Sequence, residues 1–199
     1  LNIHNSGQLT IVKDIQLDAS AQNTVKIDLA GNAKLFLGGT IVRNQPPMNY
    51  GKITSAQAST IYLNGTAQQV LATSRGRGSD GIEYQNVVFN NSSGISPAFI
   101  AEGRVDVLNS IALQNGCIDM GRDTIMLSNN EHTSVTGGSN NSFVIGQFCR
   151  YIGQSGKTYR WSVGRSGQQG EYWFELKNNL LVGTSYVCVE FDSVPEDTK

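Results

Sequence analysis

The stretch RVDVLNSIALQNGCIDMGRDTIMLSNN, residues 104–130, decides the fold of this chain. Apolar residues two positions apart recur along it as pairs that start six, seven and seven residues after one another. The pairs are Val105/Val107, Ile111/Leu113, Ile118/Met120 and Ile125/Leu127. Such alternation predicts short strands with one buried face. The Asn, Gly, Ser and Asp residues between the pairs favour tight turns.

The same spacing extends toward the N-terminus, in Leu9/Ile11, Ile15/Leu17, Val25/Ile27/Leu29 and Leu35/Leu37. No segment keeps the i, i+3, i+4, i+7 apolar spacing of an amphipathic helix, so long helices are not expected. Antiparallel hairpins usually repeat every ~8–12 residues, which is longer than the spacing seen here. We therefore predict an all-β fold in which residues 1–141 form a parallel β-helix, with about three short faces and roughly 20 residues per coil.

Aromatic residues concentrate in the last third of the chain. Ten of the sixteen Phe, Tyr and Trp residues lie within residues 142–199, in longer alternating runs such as TYRWSV, EYWFEL and SYVCVEF. These runs predict a small antiparallel β domain over residues 142–192. A domain there would cap the solenoid, whose open end exposes unpaired backbone and apolar core. The polar residues 193–199 are interpreted as a linker or tail.

Composition narrows the classes of function. Charged residues make up 16% of the chain and the formal net charge is -1. A nucleic-acid binder usually carries a basic stripe, and a polybasic membrane contact needs clustered Lys and Arg, so neither partner is expected. No apolar run approaches the ~20 residues of a membrane-spanning helix. The chain begins at Leu1 without a signal-peptide pattern, which favours a processed protein or a fragment.

The cysteines Cys117, Cys149 and Cys188 form no CxxC pair, and their number is odd. Buried free thiols are the favoured interpretation, because unpaired Cys is among the most buried residue types. One bridge between two of the three remains the alternative if the protein is exported.

Two stretches resemble the exported, repeat-rich surface proteins of Bacteroidetes, many of them cargo of the type IX secretion system. The first spans residues 59–130 and resembles that group's order of an N-G-T-x-Q-Q strand, an N-x-x-x-N-N-S-x-G segment and a G-x-[DN]-T-[IL]-x-L strand. The matching positions are Asn64, Gly65, Thr66, Gln68, Gln69, Asn86, Asn90, Gly94, Gly121, Asp123, Thr124 and Leu127. The second, SFVIGQFCRYIGQSGKTYRWSVG over residues 142–164, is similar to their closing motif S-[FY]-V-x-G-x-[LMF]-x-R, a turn and [FW]-x-V-G.

The resemblance implies a right-handed parallel β-helix followed by a small β domain, within a large cell-surface or secreted protein. It implies no catalytic residues, since the shared motifs are glycine, asparagine and core positions. The dipeptide Trp161-Ser162 departs from the Phe-Pro that this group usually carries.

Motifs for cofactors and metals are weak. GRGSDG, residues 76–81, matches GxGxxG, but the strand-like IEYQNVVF follows it where a dinucleotide site needs a helix. The only histidines, His4 and His132, have no His, Cys or carboxylate at metal-ligand spacing. We therefore predict neither a cofactor nor a metal site.

Polysaccharide cleavage is the alternative function, because it needs paired carboxylates or a carboxylate-bound cation with a basic residue. Glu102 and Asp123 are 21 positions apart and would stack if one coil had that length, with Arg104 and Arg122 beside them. A one-residue error in register turns a side chain to the opposite face, so chance spacing remains the favoured explanation.

Trp161 and Trp173 are the candidate ligand-binding residues, as part of an aromatic platform for sugar rings with Tyr159 and Tyr172. Core packing is the competing interpretation, since alternate residues of a strand face opposite ways. Two Asp-Ser/Thr-aliphatic triplets match the O-glycosylation pattern of the resembled group. They give Thr124 and Ser193 as candidate acceptors.

Together these features predict a non-enzymatic structural or adhesive module of a secreted or cell-surface bacterial protein. The expected partners are a glycan or another cell-surface molecule, and other domains of the same large protein. A carbohydrate-binding or polysaccharide-cleaving β-helix domain is the alternative.

Overall fold

The computed structural model describes residues 1–17, 26–43, 52–72, 82–165, 172–179 and 185–191. Over these residues the fold is all-β, with 62% strand and 2% helix, and forms a β-solenoid of about five turns. The strands are β1 (Asn2–Ile3), β2 (Gln8–Ile11), β3 (Ile15–Leu17), β4 (Lys26–Leu29), β5 (Lys34–Leu37), β6 (Ile41–Arg43), β7 (Lys52–Ser55), β8 (Thr60–Leu63), β9 (Gln69–Leu71), β10 (Tyr84–Asn90), β11 (Phe99–Ala101), β12 (Val105–Asn115), β13 (Ile118–Leu127), β14 (Val135–Gly137), β15 (Val144–Ile152), β16 (Lys157–Gly164), β17 (Tyr172–Asn178) and β18 (Ser185–Val189). A single 3₁₀ turn, His132–Ser134, is the only helical element among the described residues.

Parallel pairing between successive coils defines three faces in the N-terminal part. The first face is β1-β4-β7, the second begins β2-β5-β8-β10, and the third begins β3-β6. On the first face, Asp28 pairs with Thr54, and these two residues are 26 residues apart in sequence. The same separation recurs in the pairs Asn2/Asp28, Gln8/Lys34, Lys34/Thr60 and Ile15/Ile41. The prediction of a parallel β-solenoid is confirmed.

The predicted coil length is too short for these first coils. It is right between β12 and β13, where Val105 pairs with Ile125 and the neighbouring Asn109 and Asn129 are 20 residues apart. The apolar pairs that predict this length lie in that same stretch, where the connections between strands are short. Coil length includes the connecting residues, so a spacing taken from one region does not transfer to coils with longer connections.

The predicted alternation of buried residues is confirmed in residues 104–130. All eight apolar residues of its four pairs are at most 2% exposed. Further toward the N-terminus, Leu35, Ile61, Val87 and Ile111 occupy the same inward position on four successive coils and are also buried. Each such side chain contributes about 1.5–3 kcal/mol by leaving water, and its neighbours above and below complete the core.

The C-terminal strands continue the same hydrogen-bonded sheet. β15 pairs in parallel with β13, and Val144 of β15 pairs in parallel with Val163 of β16. Antiparallel pairing then joins β17 to β16 and β18 to β15. Parallel pairing thus extends beyond residue 142, where the sequence predicts a boundary. A separate domain over residues 142–192 stays a prediction.

A disulfide joins Cys149 to Cys188, so the interpretation of these two cysteines as buried free thiols is wrong. Antiparallel pairing of β15 with β18 places the two residues directly opposite each other. Cys117 is a buried free thiol, as predicted, and burial raises the pKa of that thiol.

Candidate functional site

A polar groove crosses five successive coils on one corner of the solenoid. Its volume is about 690 Å³. Its described lining consists of Gln57, Gln85, Leu108, Asn109, Ser128, Asn129, Asn130 and Tyr151. We call this surface the amide groove, because five of these eight residues are Asn or Gln.

The register of the strands creates the amide groove. Tyr84 pairs with Val107, Val107 with Leu127, and Leu127 with Arg150, which makes an inward column across four coils. All four side chains are at most 1% exposed. Successive residues of a strand point to opposite faces.

The residues that follow this column along the chain therefore point outward. They are Gln85, Leu108, Ser128 and Tyr151, all of which line the groove. Gln57, in the turn between β7 and β8, extends the groove by one coil. Four steps at the ~4.8 Å spacing of paired strands give a groove roughly 20 Å long.

A ladder of asparagine side chains forms the side of the groove. The Asn129 Nδ2 donates to the Asn109 Oδ1 at 2.9 Å, and the Asn109 Nδ2 donates to the Asn86 Oδ1 at 2.6 Å. The Asn86 Nδ2 donates to the main-chain carbonyl oxygens of Gln57 and Ser59, at 2.9 and 2.7 Å. The amides are thereby fixed in orientation before any ligand arrives.

Two amides of this ladder, those of Asn109 and Asn129, keep binding capacity. The Asn86 amide is fully used, because its Oδ1 also accepts from the Ser110 Oγ. A side-chain amide has two N–H donors and two acceptor lone pairs. The Asn109 amide uses one donor to Asn86 and one lone pair to Asn129. Among the described residues that line the groove, none is Asp, Glu, Lys or Arg. This lining therefore presents paired donors and acceptors without net charge.

Aromatic rings stand at the C-terminal end of the groove. The rings of Tyr151 and Tyr186 meet edge to face with centroids 6.0 Å apart. The Tyr186 side chain is 60% exposed. Tyr186 belongs to β18, which the Cys149–Cys188 disulfide holds against β15. The bridge thus helps to fix one ring of this pair.

Arg150, next to Tyr151, is fully buried and organises the segment behind the groove. Its guanidinium Nη2 donates to the carbonyl oxygens of Glu131 and His132, at 2.8 and 3.2 Å, and to the Ser134 Oγ at 3.0 Å. Its Nη1 donates to the Arg160 carbonyl oxygen at 3.1 Å. These bonds anchor the turn that immediately follows Asn129 and Asn130.

Burial lowers the pKa of Arg150 to about 10, so the side chain stays charged at neutral pH. Its guanidinium carbon lies 5.0 Å from the centre of the Tyr159 ring and 5.7 Å from that of the Trp161 ring. Such contacts stabilise a cation through the ring quadrupole. Main-chain carbonyls and aromatic faces thus take the place that a carboxylate would usually fill around a buried cation.

The two tryptophans predicted to bind a ligand lie in opposite environments. Trp161 is 0% exposed, and its ring packs on Phe174 at 5.6 Å between centroids. That burial leaves no ring face open to a sugar. Trp173 is 57% exposed and its ring lies 5.1 Å from the Arg160 guanidinium carbon. Neither residue lines the amide groove.

Of the two predicted glycosylation acceptors, Thr124 and Ser193, only Thr124 lies within the described residues. The Thr124 Oγ1 is partly buried in β13 and donates to the Gln147 Oε1 of the neighbouring strand β15 at 2.7 Å. Ser193 lies outside the described residues, as does the GRGSDG motif of residues 76–81.

Glu102 and Asp123 form no described contact with each other. Because Val105 pairs with Ile125, counting back two residues places Asp123 level with Gly103. Arg104 makes a salt bridge with Asp106 instead, at 2.7 Å.

The histidines show no metal-binding arrangement. His4 is exposed, and the His132 Nδ1 lies 2.9 Å from the Gln154 Oε1. The described part of the chain holds no group of three or more His, Cys, Asp or Glu side chains placed to bind a metal ion.

Comparison of the chain with family models, with curated proteins and with solved structures finds no match in any of the three. Within the described ranges, no helix has the length and apolarity needed to cross a membrane.

The asparagine ladder and the groove were not predicted from the sequence. The available signal was the spacing of Asn86, Asn109 and Asn129, which are 23 and 20 residues apart. Paired residues of neighbouring strands show the same separations, since Tyr84 pairs with Val107 and Val105 pairs with Ile125. The asparagines therefore recur at the local coil length. The signal becomes visible only when the coil length is allowed to vary along the chain.

Proposed function

We propose that this chain is a non-enzymatic adhesive module that binds a surface partner through the amide groove. The observation that carries the proposal is the uncharged described lining of the groove, which continues across five coils. Ordered donors and acceptors on an open, rigid surface suit reversible binding, because little conformational entropy is lost when a partner docks.

The solenoid supports this role mechanically. Its strands pair in parallel from coil to coil, so the groove residues are held by a hydrogen-bonded sheet and not by isolated loops. Sites built on strands keep their geometry better than sites on loops.

The wider setting of the proposal comes from the resemblance of about residues 60–190 to exported Bacteroidetes surface proteins. In that setting the solenoid is right-handed, a small β domain caps it, and the protein is a type IX secretion cargo located at the cell surface or outside the cell. Other domains of the same large protein are then its neighbours. The polysaccharide-cleaving alternative has no supporting observation among the described residues, because Glu102 and Asp123 do not meet.

The experiment is a binding survey with the purified, disulfide-intact chain. Immobilised neutral polysaccharides, anionic polysaccharides and extracellular-matrix proteins are the three probe classes, and release of new reducing ends is followed in parallel. We expect saturable, reversible binding to at least one class, without new reducing ends. Release of reducing ends would overturn the non-enzymatic assignment. Absence of binding to all three classes would overturn the adhesive assignment.

A further inference from the structure

We propose that the ligand of the amide groove is an extended, uncharged polysaccharide chain that lies along the solenoid axis. Tyr151 and Tyr186, whose rings meet at 63°, would pack against one of its sugar rings at the C-terminal end, one tyrosine by its face and the other by its edge. This inference rests on the proposed function and names its ligand class and binding residues.

The shape of the groove favours a linear polymer. Gln57, Gln85, Asn109 and Asn129 each contribute one lining amide from a successive coil, and Asn109 and Asn129 stand directly above each other in the ladder. Their spacing is set by the ~4.8 Å separation of paired strands, which is close to the length of one sugar unit in an extended glycan. A polymer of similar units can therefore meet an amide at each step.

The chemistry of the lining favours hydroxyl groups. A sugar hydroxyl both donates and accepts a hydrogen bond, and a side-chain amide offers both complements. The Asn109 and Asn129 amides are already held by the ladder, so they do not have to be ordered when the ligand binds.

The charge of the lining favours a neutral polymer. A polyanion would need Lys or Arg side chains to compensate its carboxylates or sulfates, and the described lining contains none. Arg150, which precedes Tyr151 in the chain, is 0% exposed and donates inward to main-chain carbonyls.

The end of the groove supplies the apolar component that sugar recognition needs. The Tyr151 and Tyr186 rings meet at 6.0 Å and Tyr186 is largely exposed. The apolar face of a pyranose ring packs well on such a platform, and a tyrosine hydroxyl adds a further donor and acceptor. Leu108 is the only aliphatic residue in the described lining, which is too little apolar surface for the core of a protein interface.

The test is a titration of the intact chain with neutral β-linked gluco- and manno-oligosaccharides, from disaccharide to octasaccharide. Polygalacturonate and heparin are the anionic probes. We expect affinity for the neutral series to rise with length and to level off once the oligosaccharide spans the groove. Side-chain amide resonances of Gln57, Gln85 and Asn109 should shift in ¹H–¹⁵N spectra.

Substitutions of lining residues test whether the amide groove is the binding site. Gln57→Ala and Gln85→Ala remove side chains for which no internal hydrogen bond is described, and each should weaken binding roughly 2- to 10-fold. Tyr151→Ala should weaken it about tenfold or more. The matched control is Gln8→Ala, an exposed amide on the first coil outside the groove, which should leave affinity unchanged. The circular dichroism spectrum of each variant checks its fold.

The outcomes separate the two proposals. Neutral-glycan binding that survives the groove variants but is lost in Trp173→Ala would overturn the groove as the site in both proposals and leave only the adhesive role standing. Binding only to anionic glycans or only to matrix proteins would overturn the ligand class and also leave that function standing. No binding to any probe class would overturn both.

Discussion

Cys149 and Cys188 face each other across the antiparallel pair formed by β15 and β18, and a disulfide joins them. Cys149 is 1% exposed, whereas Cys188 lies on the exposed outer strand. The bridge spans 39 residues and ties the last described strand to the body of the solenoid.

Loss of this bridge should destabilise the C-terminal strands first. Cys188→Ser should lower the free energy of unfolding by about 2–4 kcal/mol and expose β18 to limited proteolysis. The control is Cys117→Ala, which removes the buried free thiol and should leave β18 protected. Thiol titration of the denatured, unreduced protein should find one thiol, since Cys117 is the free cysteine; three thiols would contradict the disulfide.

The two tryptophans should differ in fluorescence. Trp161 is 0% and Trp173 57% exposed. The Trp173→Phe variant, which keeps only the buried indole, should emit at shorter wavelength and resist quenching by iodide. The Trp161→Phe variant should emit at longer wavelength and be quenched readily. Equal quenching of the two variants would show that the burial of Trp161 is wrong.

Arg150 should be required for stability. Arg150→Lys keeps the charge but loses the planar array of donors that reaches Glu131, Ser134 and Arg160. We expect a loss of about 3 kcal/mol in the free energy of unfolding, since several buried carbonyl groups lose their donors. The exposed Arg122→Lys is the control and should change it by less than about 0.5 kcal/mol. Chemical denaturation measures both, and similar values for the two variants would contradict this role.

The register of β5 can be tested with two adjacent residues. Leu35 is 0% exposed, whereas Phe36 points outward and stacks on Tyr62 at 4.4 Å between ring centroids. Leu35→Ala should cost about 2–5 kcal/mol through the cavity it leaves, and Phe36→Ala about 1 kcal/mol through the lost aromatic pair. The reverse order in denaturant titrations would indicate a register shifted by one residue.

Asp28 should make the first coils sensitive to acid. Its carboxylate accepts hydrogen bonds from Lys26 and Thr54, which lower the pKa of Asp28 below its ordinary value of 3.8. The stability from this interaction is therefore present above the unfolded-state pKa and is lost as the pH falls through the lower folded-state value. Asp28→Asn should unfold more easily than the natural chain at neutral pH and show a smaller further loss below pH 3.8. Thermal unfolding at several pH values measures the difference, and parallel curves for the two proteins would contradict it.

The solenoid could be predicted because its signal is local. A pair such as Val105/Val107 shows within three residues which side of the strand is buried. The polar residues after it are less informative, because Asn109 lies within β12 and not in a turn. Coil length is different, because it depends on connections of unequal length between the strands. Ile15 pairs with Ile41 across a long coil, whereas Val105 pairs with Ile125 across a shorter one.

The groove could not be predicted because it depends on that register. Gln85, Leu108 and Tyr151 become neighbours only when the residues before them, Tyr84, Val107 and Arg150, stack in one column. Members of this column lie a whole coil apart in sequence, which is farther than any local pattern reaches. The tryptophans were easier to select as candidate binding residues, because an aromatic residue is recognised from the sequence without knowledge of the register.

A bridge between two of the three cysteines was predicted only as the alternative, and its partners Cys149 and Cys188 could not be predicted for a similar reason. An odd number of cysteines argues against complete pairing within one chain, yet says nothing about which two meet. The two are brought together by antiparallel pairing between strands 39 residues apart in sequence, which the solenoid pattern does not encode.

The first coils have the same number of residues, since Lys34 pairs with both Gln8 and Thr60. This constant coil length limits how the protein can change in length during evolution. Removal or duplication of one whole coil returns each inward side chain to an inward position, and the molecule shortens or lengthens by one strand spacing of ~4.8 Å. A deletion of one residue within a strand reverses the facing of the residues that follow it in that strand, whereas connections absorb such a change, as later coils with offsets of 23 and 20 residues show. Only the gain or loss of a whole coil changes the number of stacked strands, so the reach of the protein is inherited in discrete steps.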